Sequence, residues 1–397
     1  MSPIRIDCRS YTGSAPCRFH KADGRSCDAC GDYDPVRVRL LIVKLAATGD
    51  VLRTTSLLPA MARAYPGAHV TWITDPASAP VLAGHPLVDR LLTSDQCLPT
   101  LLVERFDAVH GLDAEHRSAS LSTLATASRR TGFVLDEYAR VVPATDAAVA
   151  WWLMGLDDRR KRSNRRSYQD LMYELCGLPG PLHRPYFAVP EPCRQRAAVR
   201  LDVWGAHRHA PLVGLNTGGG SRWAQKKWTP EGYAGFIARL RAVHPRAGVV
   251  VVGGPDERDL NARLLEAGRE GVFDAGCDNS FADFAALVSS LDVLVTSDSL
   301  GLHTAQAVST PVVAFAGPTS PWELETYDDG AVVYADDVEC VACYRARCDK
   351  PVTCMERLAP EPVLDAVERL LAATGIRPAS GLYGKLHHRS GLGTVGR

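Results

Sequence analysis

The sequence has no net charge to speak of: 45 Lys and Arg balance 45 Asp and Glu. A dedicated nucleic-acid binder carries a basic excess, so this balance argues against one. No apolar run reaches the roughly 20 residues a membrane-spanning helix needs, and the opening MSPIRIDCRS lacks the apolar core of a secretory signal. A cytosolic protein is the expectation. A P-loop is also missing, because GxxxxGK[ST] does not occur. No internal repeat stands out beyond an alternation of strand-like and helix-like segments.

What is present is length, apolar content and cysteine. The 397 residues are 46% hydrophobic, enough for two domains of about 150 to 200 residues each. Residues 1–35 have almost no aliphatic side chains and form a separate element. Domains are expected at 36–190 and 205–375, with the stretch 182–197 approaching a linker and a disordered tail over 376–397. Eight of the 12 cysteines cluster. Cys8, Cys17, Cys27 and Cys30 lie near one end with His20 among them; Cys340, Cys343, Cys348 and Cys354 lie near the other. The two-residue gaps of Cys17/His20 and Cys27/Cys30 suit paired ligands of a tetrahedral zinc. In a reducing compartment such clusters more often bind metal than form disulfides. Structural zinc or iron is expected at both clusters, with free thiols and disulfides as the alternatives. Cys97, Cys176, Cys193 and Cys277 sit in apolar contexts and read as inert core residues.

Along the chain, RVRLLIVKL (37–45) reads as a buried strand, 51–65 as a helix, and HVTWIT (69–74) as the next strand; the pattern continues through 107–111. Alternation resumes at PLVGLN (211–216), with helices over 230–243 and from 256 to about 269. Strand–helix–strand repetition of this kind implies a doubly wound parallel sheet in each domain. The organising stretch is LDVLVT (291–296) with Ser297, Asp298, Ser299 and a helix to about Val308, then PVVAFA (311–316) with Gly317, Pro318 and Thr319. Ligands of parallel α/β sheets bind at the carboxyl ends of the strands, where helix N-termini favour anions.

Three places carry candidate chemistry. Asp50, just after the first strand, is either a helix N-cap or a general base for an acceptor hydroxyl. Thr217, Gly218 and Gly219 open a glycine run whose backbone can approach an anion, and Lys226 or Lys227 can then neutralise a diphosphate. Asp298 and His303 flank a strand–helix junction, as ligand contacts or as a cap and a core histidine. Six cationic side chains within 159–166 are either a solvated loop or a patch for acceptor phosphates or an anionic membrane.

Together these segments resemble glycosyltransferase family 9, the ADP-heptose:lipopolysaccharide heptosyltransferases. The resemblance rests on LLIVKLAATGDVLRTTSLLPAMARAYPGAHVTWIT, GGGSRWAQKKWTP, VVVGGPDE and SDSLGLHTAQAVSTPVVAFAGPTSPWE; CVACYRARCDKPVTCM looks like a cysteine-bearing segment of many members. It implies a GT-B fold, two Rossmann-like domains facing a central cleft, and inverting glycosyl transfer without a catalytic metal or other cofactor. By motif position it implies Asp50 as the catalytic base. Lys226, Asp298, Ser299, His303, Gly317, Pro318 and Thr319 would contact the nucleotide-sugar donor, with Thr217 to Gly219 along its phosphates. The donor would be an ADP-sugar, and the acceptor a lipopolysaccharide core or other envelope glycan at the cytoplasmic face of the inner membrane. The basic 159–166 segment would contact that membrane peripherally. Protein O-heptosylation and a non-catalytic, metal-bearing nucleotide-sugar binder are the alternatives. The family's Asp-Thr-Gly-Leu-x-His form reads Asp-Ser-Leu-Gly-Leu-His here, which keeps the Asp/His spacing and shifts the glycine.

Overall fold

A computed structural model describes residues 4–219, 224–268 and 270–373, and the expected tail over 376–397 lies outside them. The chain divides into two compact units, Met1–Ala188 and Val189–Arg397.

In the first unit six strands form one sheet: β1 (Val38–Val43), β2 (Ala68–Thr74), β3 (Arg90–Thr93), β4 (Arg105–Gly111), β5 (Thr126–Leu135) and β6 (Val141–Pro143). Their order is β3-β2-β1-β4-β5-β6. β1 lies at the centre, paired in parallel with β2 and β4. Leu40, Leu41, Ile42 and Val43 are fully buried, as a strand covered on both faces requires. The parallel sheet expected from the alternation therefore forms, with one departure: β5 and β6 pair antiparallel at the edge. The sequence TASRRTGFVL carries charges through its first half, so it lacks the continuous apolar run by which buried parallel strands are recognised. Gly132 adopts φ +83, and a Cβ there would lie 1.8 Å from the carbonyl oxygen of Gly111. Only glycine allows β4 and β5 to approach so closely.

The segment read as one helix over 51–65 is broken in two, Thr48–Thr54 and Leu58–Ala64, by a 3₁₀ turn at Thr55–Leu57. Pro59 lacks the N–H that a continuous helix would use, and it sits in the first turn of the second piece, where none is needed. Residues 191–203, taken partly as a linker approach, form the helix Glu191–Val203.

The second unit repeats the plan. β7 (Leu212–Asn216), β8 (Gly248–Val252), β9 (Val272–Asp274), β10 (Val293–Ser297), β11 (Val312–Phe315) and β12 (Gly330–Val333) are all parallel, in the order β12-β11-β10-β7-β8-β9. Counted from its own first strand, this is the strand order of the first unit read from the opposite edge. In both, the order reverses beside the first strand, between β1 and β4 and between β7 and β10. The apolar centre gathers Trp228, Tyr233, Phe236 and Phe315 with the inward face of the helix Pro360–Ala373. The indole N–H of Trp228 donates to the Leu358 carbonyl at 2.9 Å, which anchors the loop that carries Lys226.

Candidate active site

Ligands of doubly wound sheets sit outside the carboxyl ends of the strands, where the order reverses. In the first unit this point is occupied by charge. Lys44, buried at the end of β1, is ion-paired with Asp113 beyond β4 and donates to the Ala46 carbonyl at 3.0 Å. The other Asp113 oxygen accepts from the Leu45 N–H at 2.7 Å. Burial opposes the Lys44 charge, but the Asp113 and Asp50 carboxylates outweigh it and its pKa is raised. Burial pushes the Asp113 carboxyl upward against the pull of Lys44. Both carboxylate oxygens meet donors, an arrangement that favours the charged form against that burial.

Asp50 is not the N-cap that was one of its two readings. Ala47 holds that position, and Asp50 stands in the first turn of the helix Thr48–Thr54, where its charge suits the helix dipole. Its Oδ1 is 2.7 Å from a guanidinium nitrogen of Arg53, one turn on. Arg53 is seated over the Tyr168 ring, 3.6 Å from the centroid, and the Tyr168 hydroxyl bonds Thr54 at 2.9 Å. Asp50 stays about one-third exposed while Arg53 is mostly covered, so a fixed cation orients an accessible carboxylate. Sequence reasoning missed Lys44, Arg53 and Asp113. Lys44 and Arg53 lie inside the motif that singled out Asp50, so their proximity to it was the available signal.

The second unit furnishes its switch point with backbone and hydroxyl groups. Asn216 ends β7, and its amide donates to Thr296 Oγ1 at 2.8 Å and to Ser299 Oγ at 3.2 Å. Gly301 packs so closely that a Cβ would lie 2.4 Å from the same amide nitrogen. Thr217 is placed differently from a phosphate contact. It is fully buried, its N–H donates to the Val252 carbonyl, and its hydroxyl bonds Asn261 at 2.6 Å. Gly218 and Gly219 remain at the strand end, and residues 220–223 of the glycine loop lie outside the described part.

The two candidate lysines separate. Lys226 Nζ donates to Asp298 Oδ2 at 2.7 Å, and the same oxygen accepts from Thr319 Oγ1 at 2.8 Å. Lys227 is paired with Glu257, whose second oxygen accepts from the Gly254 N–H at 2.9 Å. Glu257 was not singled out from the sequence; the VVVGGPDE segment that contains it was the signal. Ser299, rather than Asp298, caps the helix Leu300–Ala307, its Oγ accepting from the Gly301 N–H. His303 is buried on that helix, with Nδ1 3.4 Å from Gln306 Oε1. Gly317 and Pro318 accept backbone bonds from Ala342 at 3.0 Å and Tyr344 at 2.7 Å, so the cysteine-bearing segment is fastened to the loop that presents Thr319.

The metal expectation requires correction. Among the described residues, no three His, Cys, Asp or Glu side chains are arranged to hold a metal ion. All 12 cysteines are free thiols. Cys340, Cys343, Cys348 and Cys354 line one cavity of about 350 Å³ rather than converging on a point. The four N-terminal cysteines and His20 line another. His20 is exposed, and its Nδ1 is engaged with the Arg25 carbonyl at 3.0 Å. Cys97, Cys176, Cys193 and Cys277 are buried, as their apolar contexts suggested.

The sequence model of glycosyltransferase family 9 (heptosyltransferase) matches residues 98–353, well over half the chain. The protein belongs to glycosyltransferase family 9. It is similar to lipopolysaccharide heptosyltransferase 1 of Pseudomonas aeruginosa, 25% identical over 380 residues, which span 85% of this chain and 99% of the relative. Among solved structures, a glycosyl transferase family 9 protein from Veillonella parvula aligns at TM-score 0.69 and 20% identity, over 85% of this chain and 98% of its own. The E. coli ADP-heptose lipopolysaccharide heptosyltransferase II aligns at TM-score 0.61, also at 20% identity, over 85% and 100%. These likenesses establish the fold of this family 9 enzyme as GT-B, with two Rossmann-like units.

Proposed function

We propose that this glycosyltransferase moves heptose, with inversion, from ADP-heptose to a lipopolysaccharide core or related envelope glycan. One observation carries the donor half: Lys226, Asp298 and Thr319 come from three loops and meet through one carboxylate oxygen at the strand ends. A diphosphate arriving there finds an ammonium, a hydroxyl and nearby glycine amides, and the N-terminus of the helix Leu300–Ala307 adds positive potential. These groups stabilise the negative charge that develops on departing ADP.

Asp50 serves the other half. Inversion requires the acceptor oxygen to attack the anomeric carbon from the face opposite the diphosphate. The C–O bond to the diphosphate breaks as the new glycosidic bond forms, and the acceptor proton passes to the Asp50 carboxylate. Arg53 holds that carboxylate in place, and Lys44 adds a second positive charge to its surroundings. The names of the similar proteins support heptose as the sugar and lipopolysaccharide as the acceptor.

An anionic acceptor lipid also fits the helix Asp158–Ser163, which ends in Arg160, Lys161 and Arg162 and follows the apolar helix Val149–Leu156 with Leu156 exposed. Cationic side chains beside exposed apolar ones suit peripheral contact with the cytoplasmic face of a membrane. Among the described residues, no helix is long and apolar enough to cross one.

The test is a panel of nucleotide sugars scored by thermal stabilisation, followed by the anomeric configuration of the product. Stabilisation by ADP and ADP-heptose with an inverted linkage supports the proposal. Preference for UDP- or GDP-sugars removes heptose, and retention of configuration removes the role given to Asp50.

A further inference from the structure

Asp50 is fastened at its carboxylate and at its main chain, and both fastenings lead to a residue outside every motif, Tyr168. The carboxylate is paired with Arg53 at 2.7 Å, and the Arg53 guanidinium lies 3.6 Å from the centroid of the Tyr168 ring. The main-chain carbonyl of Asp50 accepts from Thr54 Oγ1 at 2.6 Å. A hydroxyl has one hydrogen to give, and Thr54 gives it there. At the 2.9 Å contact between Thr54 and Tyr168 the phenol is therefore the donor. Tyr168 thus reaches the carboxylate through its ring face and the backbone of the same residue through its hydroxyl.

The tyrosine is itself held. It is 2% exposed and opens the helix Tyr168–Cys176, whose start is set by a capping box of Ser167 and Asp170. Trp151, from the helix Val149–Leu156, meets the ring edge-on, with centroids 5.4 Å apart and planes at 79°. Burial pushes the phenol pKa up, which keeps its proton in place for Thr54. Packing alone would be served by Phe or Leu. A buried hydroxyl with a partner and a ring face under a guanidinium add two directed contacts to that packing. Arginine has many rotamers to lose, so a fixed platform is what turns Arg53 from a neighbour of the carboxylate into a guide for it.

We propose that Tyr168 is the positioning residue of the general base, acting on Asp50 through Arg53 and Thr54 without touching either substrate. The inference rests on the role given to Asp50 above.

Turnover and donor KM in transfer from ADP-heptose are compared for the wild type, Tyr168→Phe, Tyr168→Leu, Arg53→Ala and the double variant Arg53→Ala/Tyr168→Leu, with Asp50→Ala as control. Tyr168→Leu is expected to lower kcat by about 10-fold at unchanged donor KM, as for loss of one buried cation–π contact. Tyr168→Phe keeps the ring and should recover most of that loss. The double variant should fall below Arg53→Ala by no more than Tyr168→Phe falls below the wild type, because only the hydroxyl route remains to be lost. Leucine leaves space beside Arg53, so a series of one shape accompanies it: phenylalanine at position 168 and its mono-, di- and trifluorinated forms. Fluorine withdraws charge from the ring face and barely alters packing, so kcat should fall with each step at constant melting temperature. A readout independent of turnover is NMR of isotope-labelled arginine. It should show one guanidinium shifted by a ring current, missing in Arg53→Ala and moved toward the free value in Tyr168→Leu. A flat fluorine series, an additive double variant, a donor KM that changes as much as kcat, or no ring-shifted guanidinium in the wild type would overturn the proposal. If Asp50→Ala retains its turnover, the role of Asp50 fails and this inference with it. If Asp50→Ala is inactive and the fluorine series is flat, this inference alone fails.

Discussion

The two α/β units thread their strands in the same relative order, and the point where that order reverses carries different chemistry in each. In the first unit it holds buried charge: the Lys44–Asp113 pair and Asp50 beside Arg53. In the second it holds an amide, hydroxyls and close-packed glycines around the Lys226–Asp298–Thr319 junction. One topology therefore positions two kinds of site. Charges locked into pairs orient a single carboxylate, which suits proton removal. One lysine and one hydroxyl meeting at a carboxylate beside the strand-end glycines suit a leaving group that gains charge over several oxygens. The strand ends supply the location in both units, and the residues that follow them set the chemistry.

The sharpest way to break this comparison is to remove the carboxylate. Asp50→Ala is expected to lower kcat by about 10²- to 10⁴-fold, the usual range for loss of a positioned base, while stabilisation by ADP-heptose is retained. Rate constants and melting temperatures measured on the same preparations check it. A variant that loses donor stabilisation as well would assign Asp50 to the donor half. Arg53→Ala should give a smaller drop in kcat with stabilisation intact, since it removes the orienting partner and leaves the base.

The comparison extends to acid. His85 and His110 both lie in the first unit, buried, with pKa values pushed down to about 4 by burial, and Arg129 adds to the effect at His110. Unfolded, each takes up a proton near its ordinary value of about 6.5. A folded pKa below the unfolded one makes the unfolded chain bind more protons over that window. Stability is therefore complete above about pH 6.5 and falls as pH drops toward about 4. Each histidine contributes a loss of about 2 kcal/mol at about pH 5. Hydrogen exchange as a function of pH should show protection declining in β1, β2 and β4 before β7 and β10. His110→Gln, which can keep the bond to Thr131, should flatten the slope by about one proton. A uniform decline across both units would remove the special status of the first.

Much of this architecture was legible in the chain. Short apolar runs such as RLLIV and VVVV, bounded by polar or turn residues, read as strands covered on both faces, and their alternation with helical segments led to the parallel sheets. β5 was missed because Arg129 and Arg130 interrupt TASRRTGFVL, so the strand lacks the unbroken apolar run by which buried parallel strands are recognised. Pro59 splits a helix whose apolar period continues past it, so the period alone suggested one piece. Motif position singled out Asp50, Lys226 and Asp298 as candidates, but the sequence could not say what each would touch. Thr217 illustrates the limit: a hydroxyl beside a glycine run resembles a phosphate ligand until Asn261, 44 positions on, is seen to bond it. The cysteine spacing suggested metal ligands, and the described residues hold no such arrangement.

The smallest expected effect is the most discriminating within the second unit. Lys226 and Lys227 are neighbours with the same charge, and a long-range attraction to diphosphate would make them interchangeable. Their partners argue otherwise. Glu257 holds Lys227 while its second oxygen is occupied by the Gly254 N–H, so this lysine is spent on fastening the loop. Asp298 shares one oxygen between Lys226 and Thr319, and an arriving phosphate can compete for both donors. Lys226→Ala is then expected to weaken ADP binding by about 10- to 100-fold, as for one charge-assisted hydrogen bond. Lys227→Ala should change ADP affinity by less than about 5-fold and lower the melting temperature instead. Isothermal titration with ADP on both variants decides between them. Equal losses would mean that the diphosphate responds to summed charge rather than to the junction at Asp298.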